Sequence, residues 1–269
     1  MIQHQKGRTV LITTYNGDSS EKLKLIDDNT IDLVVTSPPY DNLRFYNGGG
    51  DKWTFDKFKL IADELTRVLK DGGVIVWVVN DATIDGSETL TSFKQAEYFK
   101  DACGLNIYDT MIWRKPNPSV PTTNRYYAAF EYMFVISKGI PKAMNFICDI
   151  QNKSVGNTYE TDIGMNPEVR KKSGKFKTVS EFSRRHNVWD IPVGINPTDH
   201  PAVYPEQLAL DHIITWSNEG DTVLDPFMGS GTTGIASHKT NRHFIGIELD
   251  PTYYAIAQNR LGELKEYLW

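Results

Sequence analysis

The chain has 269 residues, is 40% hydrophobic and 12% aromatic, and carries a formal net charge of −5. This size fits one large α/β domain plus a modest insertion, and the composition excludes a disordered protein. Apolar runs such as Val74 to Val79 are too short to cross a bilayer and Met1 to Arg8 lack a signal-peptide core, so a cytoplasmic protein without a membrane partner is expected.

Thr9 to Tyr15 reads as a first strand ending in Asn16-Gly17-Asp18, and Ser19 to Ile26 has helical spacing with Ser19 or Ser20 as cap. Ile31 to Val35 is a short apolar strand that feeds Ser37-Pro38-Pro39-Tyr40. Phe55 to Leu69 repeats apolar residues at helical intervals until Asp71-Gly72-Gly73, after which Val74 to Val79 is a strand. Phe93 to Ala102 reads as a helix, and Tyr108 to Arg114 and Glu131 to Ser137 read as strands. From Gln151 to Val188, eight basic residues face four acidic ones, a net +4 in a chain whose remainder carries −9. With Gly and Ser punctuation and no period, this segment predicts an irregular insertion. Asn187 to Pro192 returns the chain to the scaffold. Helices over Pro205 to Ile214, Thr232 to Ser237 and Tyr253 to Leu261 then alternate with strands over Thr222 to Asp225 and Phe244 to Glu248.

This alternation predicts a doubly wound, mostly parallel α/β sheet. Residues 1–138 form its first half, 139–187 the insertion and 188–269 its second half. Cys103 and Cys148 show neither CxxC nor Cys/His ligand spacing, so they read as core residues and no metal is expected. Neither cysteine has the setting of a thiol nucleophile.

Chemistry concentrates in two strand-to-loop junctions. In Asp225-Pro226-Phe227-Met228-Gly229-Ser230-Gly231-Thr232-Thr233 the glycines permit a sharp turn into a helix start, whose free N–H groups favour a carboxylate. No Gly-Lys-Ser/Thr follows, which disfavours a nucleotide triphosphatase. Glu248 ends the next strand, where an acid can accept two ribose hydroxyls. At Ser37-Pro38-Pro39-Tyr40 two prolines remove donors and hold the backbone extended, so the Ser37 hydroxyl and the Pro38 carbonyl can aim acceptors at one exocyclic amine. Tyr40 offers a face on which a flipped base can stack. In-line displacement driven by proximity then needs no covalent intermediate. A polyproline ligand or a plain turn is the bland reading of the same residues.

Together the two motifs resemble those of the S-adenosylmethionine-dependent DNA amino-methyltransferases. Catalytic motif first and cofactor motif last is the permuted order of the beta group. The resemblance spans about Asn16 to Asn259 and implies a Rossmann-like methyltransferase sheet with an inserted target-recognition region. It assigns Ser37, Pro38, Pro39 and Tyr40 to catalysis. It assigns S-adenosyl-L-methionine to Asp18, Thr36, His200, Asp225, Pro226, Phe227, Gly229, Ser230, Gly231, Thr232, Thr233 and Glu248, although Asp18 reads equally well as a turn residue. Arg44, Lys115, Arg170, Lys171, Lys172, Arg184 and Arg185 are expected at DNA. Asp41 to Gly50 reads as a lid or as an ordinary loop.

Ser rather than Asp at the first catalytic position goes, in the family, more often with cytosine N4 than with adenine N6. Double-stranded DNA is the implied partner, and the resemblance allows a cognate restriction endonuclease and a homodimer. An enzyme of this fold acting on RNA or a protein glutamine, and a non-catalytic DNA-binding relative, are the competing readings.

Overall fold

The computed structural model describes residues 10–40, 53–118, 124–163, 171–193 and 204–266. The chain divides into two compact units, one of residues Met1–Asn145 with Asn187–Trp269 and the other of Phe146–His186.

The first unit begins with β1 (Ile12–Asn16), α1 (Ser19–Lys22), β2 (Ile31–Thr36), α2 (Phe55–Val68) and β3 (Leu69–Val79). A two-residue hairpin, β4 (Thr83–Ile84) and β5 (Ser87–Glu88), precedes α3 (Thr91–Asp101), β6 (Asn106–Arg114) and β7 (Phe130–Ser137). The second unit contributes β8 (Cys148–Gln151), β9 (Thr158–Ile163), β10 (Lys171–Thr178) and β11 (Phe182–Arg184). The first unit resumes with β12 (Val188–Asp190), α4 (Glu206–Trp216), β13 (Thr222–Asp225), α5 (Thr232–Lys239), β14 (His243–Glu248) and α6 (Pro251–Glu266).

Eight strands form one sheet in the order β1-β14-β13-β2-β3-β7-β6-β12. Every neighbouring pair is parallel except the two made by β7, which runs against β3 and β6. The sheet is the mostly parallel, doubly wound one expected. Along β14, Ile245 and Ile247 join the cluster that α2 and α3 cover, whereas Phe244 joins Ile235, Ala257 and Leu261 of α5 and α6. The period of two thus buries both faces, which is why these strands are almost continuously apolar. Phe58, Trp77 and Phe99 are fully buried and meet edge-on or tilted, with ring centroids 5.3–5.8 Å apart. The indole of Trp77 donates to Gln95 Oε1 at 2.8 Å, so the polar atom is satisfied in the core.

At β13 and β2 the chain switches direction, because one strand leads through α5 to β14 and the other through α2 to β3. The crevice outside the carboxyl ends of such a pair is where this architecture binds ligands. Because β7 runs backwards, its first residues, Phe130 and Glu131, reach that same edge.

Several elements depart from the sequence expectation. α1 is one turn, continued as a 3-10 turn over Leu23–Leu25, and its cap is Asp18 rather than Ser19 or Ser20. β3 starts at Leu69, directly after α2, and runs through the two glycines. The insertion is not irregular: β9 pairs antiparallel with β10, and β8 with β11.

Candidate active site

The cofactor motif is held from inside. Thr36 ends β2, Asp225 ends the neighbouring β13, and the Thr36 hydroxyl donates to Asp225 Oδ1 at 2.6 Å. Phe227 N–H donates to the same oxygen at 3.0 Å, while the hydroxyls of Thr233 and Tyr204 donate to Oδ2, the latter at 3.3 Å. Burial pushes the Asp225 carboxyl up, and these donors work against that shift. Asp225 is 1% exposed, so its side chain buckles strand, loop and helix together instead of presenting an open carboxylate.

The loop then turns through two left-handed residues, Gly229 at φ +51° and Gly231 at φ +83°. A Cβ on Gly231 would press on Ala257 Cβ at 3.3 Å. Gly231 is also the N-cap of α5 and supplies no side-chain acceptor, which leaves that helix start open to an anion. Ser230, Thr232 and Thr233 are buried, and Ser230 accepts from Arg260 through both its carbonyl and its hydroxyl. Pro226 accepts from the Ser19 hydroxyl. Phe227 is half-buried and meets Trp53 edge-on at 5.3 Å.

Glu248 closes this part of the site. Its Oε2 accepts from Gly229 N–H at 2.9 Å and its Oε1 from Asp250 N–H at 2.8 Å. Burial pushes its carboxyl up to about 7, against those two backbone donors. Its carbonyl accepts from Gly17 N–H at 2.9 Å, so the turn after β1 is fastened to the end of β14. In that turn Asp18 accepts from Ser20 N–H at 2.9 Å and pairs with Lys57 of α2 at 2.5 Å. Burial raises the Asp18 carboxyl, but hydrogen bonds from Lys57 and Ser20 outweigh it and hold the group below its ordinary range. A carboxylate for hydroxyls, an aromatic ring and an open helix start are a donor set that fits S-adenosylmethionine.

The catalytic motif leaves β2 beside this loop. Pro38 is buried, and Ser37, Pro39 and Tyr40 are half-buried. Ser37 Oγ lies 2.8 Å from the Tyr40 hydroxyl, which donates to Glu131 Oε2 at 2.8 Å. The other oxygen of Glu131 pairs with Lys115 Nζ, and that ammonium stands 4.9 Å above the Trp113 ring. Lys115, expected at DNA, is therefore turned towards the catalytic motif.

Of the other DNA candidates, Lys172 is exposed on β10, and Lys171 lies on the same strand. Arg184 stacks over Phe146 at 4.4 Å, and Arg185 makes a forked pair with Asp149 at 2.8 and 2.5 Å. His200, Arg44 and Arg170, with the Asp41 to Gly50 segment, lie outside the described residues. Among the described residues of the second unit none is fully buried, while Phe176, Tyr159 and Phe182 are exposed apolar side chains. A ribbon unit with no fully buried side chain among its described residues, carrying Lys172, Lys175 and Lys177 beside exposed rings, has the composition of a binding surface.

Tyr204 and Glu131 escaped the sequence reading. Tyr204 sits just before Pro205, which caps the helix Glu206–Trp216, and nothing in its local sequence marks it. Glu131 is the one charged residue within the mostly apolar Phe130–Ser137 strand, and that contrast is its signal. Cys103 lies just before β6, at the sheet edge opposite the site, and burial pushes its thiol up to about 11. No group of metal-ligating side chains occurs among the described residues, and none of their helices is long and apolar enough to cross a membrane.

A glycine loop at a switch point, set beside an acceptor-bearing Pro-Pro turn, defines a Rossmann-like methyltransferase. The sequence matches the DNA methylase family over residues 31–259, and the chain belongs to that family, the N4/N6 amino-methyltransferases. It is 49% identical over 249 residues to the orphan methyltransferase M.BamHII of Bacillus amyloliquefaciens, covering 88% of this chain and 90% of that protein. The fold is similar to the cytosine-N4-specific PvuII DNA methyltransferase, with a TM-score of 0.65 at 20% identity, covering 97% of this chain and 95% of the other. It is also similar to a DNA modification methylase of Thermus thermophilus complexed with S-adenosyl-L-methionine, with a TM-score of 0.61 at 23% identity and coverages of 95% and 96%. S-adenosylmethionine is the cofactor and DNA the substrate of this enzyme class.

Proposed function

We propose that this chain methylates the exocyclic amine of a base extruded from double-stranded DNA, at cytosine N4 and within a specific short sequence. One observation carries the reading: the Thr36–Asp225 hydrogen bond ties the strand that delivers Ser37-Pro38 to the strand that delivers the glycine loop. Amine acceptors and cofactor loop thereby share one crevice.

Glu248, Phe227 and the open start of α5 hold the cofactor, with Asp225 and Gly231 shaping the loop. When bound, the cofactor supplies an electrophilic sulfonium methyl. The Ser37 hydroxyl and the Pro38 carbonyl accept the two amine N–H bonds, draw the nitrogen out of conjugation and aim its lone pair. Tyr40 contributes the stacking face, worth about 1 to 3 kcal/mol per base. The second unit, with its lysines and exposed rings, is the target-recognition region.

The choice of cytosine rests on Ser37, because an Asp at that position is the family's usual companion of adenine. Labelled methyl transfer to duplex DNA, with the product nucleoside identified by mass spectrometry, tests the proposal. N4-methylcytosine is the expected product, and N6-methyladenine would move the reading to the other amine. Transfer to RNA or protein alone, or to nothing, would overturn it.

A further inference from the structure

Ser37 can serve as an acceptor only if its own proton points away from the base. A serine hydroxyl rotates freely and can present either its proton or its lone pairs. Facing an amine, a hydroxyl turned the wrong way sets donor against donor. The surroundings of Tyr40 decide which way it turns.

Glu131 reaches this edge because β7 is the antiparallel strand, and its register places Glu131 opposite Trp113. It is 8% exposed, and such an acid is costly unless both oxygens find donors. Both do: Oε1 pairs with Lys115 Nζ and Oε2 lies 2.8 Å from the Tyr40 hydroxyl. A carboxylate only accepts, so the Tyr40 proton points at Glu131. The carbonyl of Val78 competes for that proton from 3.4 Å, a longer approach to an uncharged acceptor. With its proton committed, the Tyr40 oxygen can only accept at the 2.8 Å approach to Ser37. Ser37 must therefore donate there, and its lone pairs are left to face the crevice.

We infer that Glu131, anchored by Lys115, is a positioning residue that sets the hydrogen-bond direction through Tyr40 and thereby makes Ser37 an obligate acceptor for the amine. This inference rests on the amine-methylation reading above and adds to it a reason for a buried acid–lysine pair at the sheet edge. Glu131 does not touch the base; it acts through two intervening hydroxyls.

Glu131→Gln tests it with little change of shape. The amide can donate to Tyr40, which frees the Tyr40 proton for Ser37 and reverses the chain. In single-turnover assays of the full chain, the variant should transfer methyl to duplex DNA about 10- to 100-fold more slowly, the range of a lost hydrogen bond to a charged group. Its melting temperature should fall, because Lys115 loses its ion-pair partner, while its affinities for S-adenosylmethionine and DNA stay close to wild type, so that the loss of rate falls on the chemical step. Tyr40→Phe breaks the same chain while keeping a ring, so combining it with Glu131→Gln should add little further loss. Glu131→Asp, still an acceptor, should restore part of the rate.

A wild type that labels DNA and is matched by Glu131→Gln removes this inference alone. So do fully additive losses in the double variant, or a Glu131→Gln chain that no longer binds cofactor. A wild type that labels no DNA removes the functional reading and this inference with it.

Discussion

Gly229 shows how narrow the tolerance of the cofactor loop is. At φ +51° the backbone sits where a β-branched residue is a genuine outlier, while its N–H must still reach Glu248 Oε2. Gly229→Val should therefore weaken S-adenosylmethionine binding strongly in calorimetry, and wild-type affinity would refute this placement of the loop. Glu248 provides a pH test. Its carboxyl, pushed up to about 7 from an ordinary 4.5, stabilises the fold fully below 4.5 and loses that contribution as the pH rises through about 7. Cofactor binding has the opposite sign, because two ribose hydroxyls need the ionised acceptor. Affinity should rise as the pH goes from about 6 to about 8, and Glu248→Gln should be weak and flat across that range. A flat wild-type profile would contradict this role. At this scale the sequence carried the motif residues but not the contacts among them. Asp225 stands in the cofactor motif, and its hydrogen bonds to Thr36 and Tyr204 were not legible because those partners are remote in sequence.

Among the elements, the sheet strands were legible because burial on both faces leaves continuous apolar runs, as in Ile31–Thr36 and Val74–Val79. The β9–β10 ribbon was not. Phe176, Lys177 and Tyr159 are exposed, so no buried face imposes an alternation on the sequence. Its backbone pairing, interrupted by a register shift between Lys172 and Phe176, is local and leaves little pattern in composition. The same ribbon yields a prediction. Changing Lys172, Lys175 and Lys177 together to Gln should weaken duplex binding and lower its log–log salt slope by roughly 0.9 for each phosphate that is no longer neutralised. Cofactor affinity should not change. A triple variant with the wild-type slope would show that these lysines are only a solvated face.

Across the whole molecule, the catalytic motif lies near one end of the chain and the cofactor motif near the other, yet Thr36 and Asp225 touch across 189 positions. Parallel crossovers and a switch point bring them together, and the motif order is immaterial once β2 and β13 are neighbours. The reversed β7 completes the edge from a third direction, delivering Glu131 to Tyr40. On the proposed function, this edge methylates a DNA amine through Ser37. Methylome sequencing of DNA from cells expressing the wild-type chain or Ser37→Ala tests it most directly. We predict N4-methylcytosine at one short sequence in the wild type and its loss in the variant. Unmodified DNA from the wild type, or the same modification from both chains, would contradict the account.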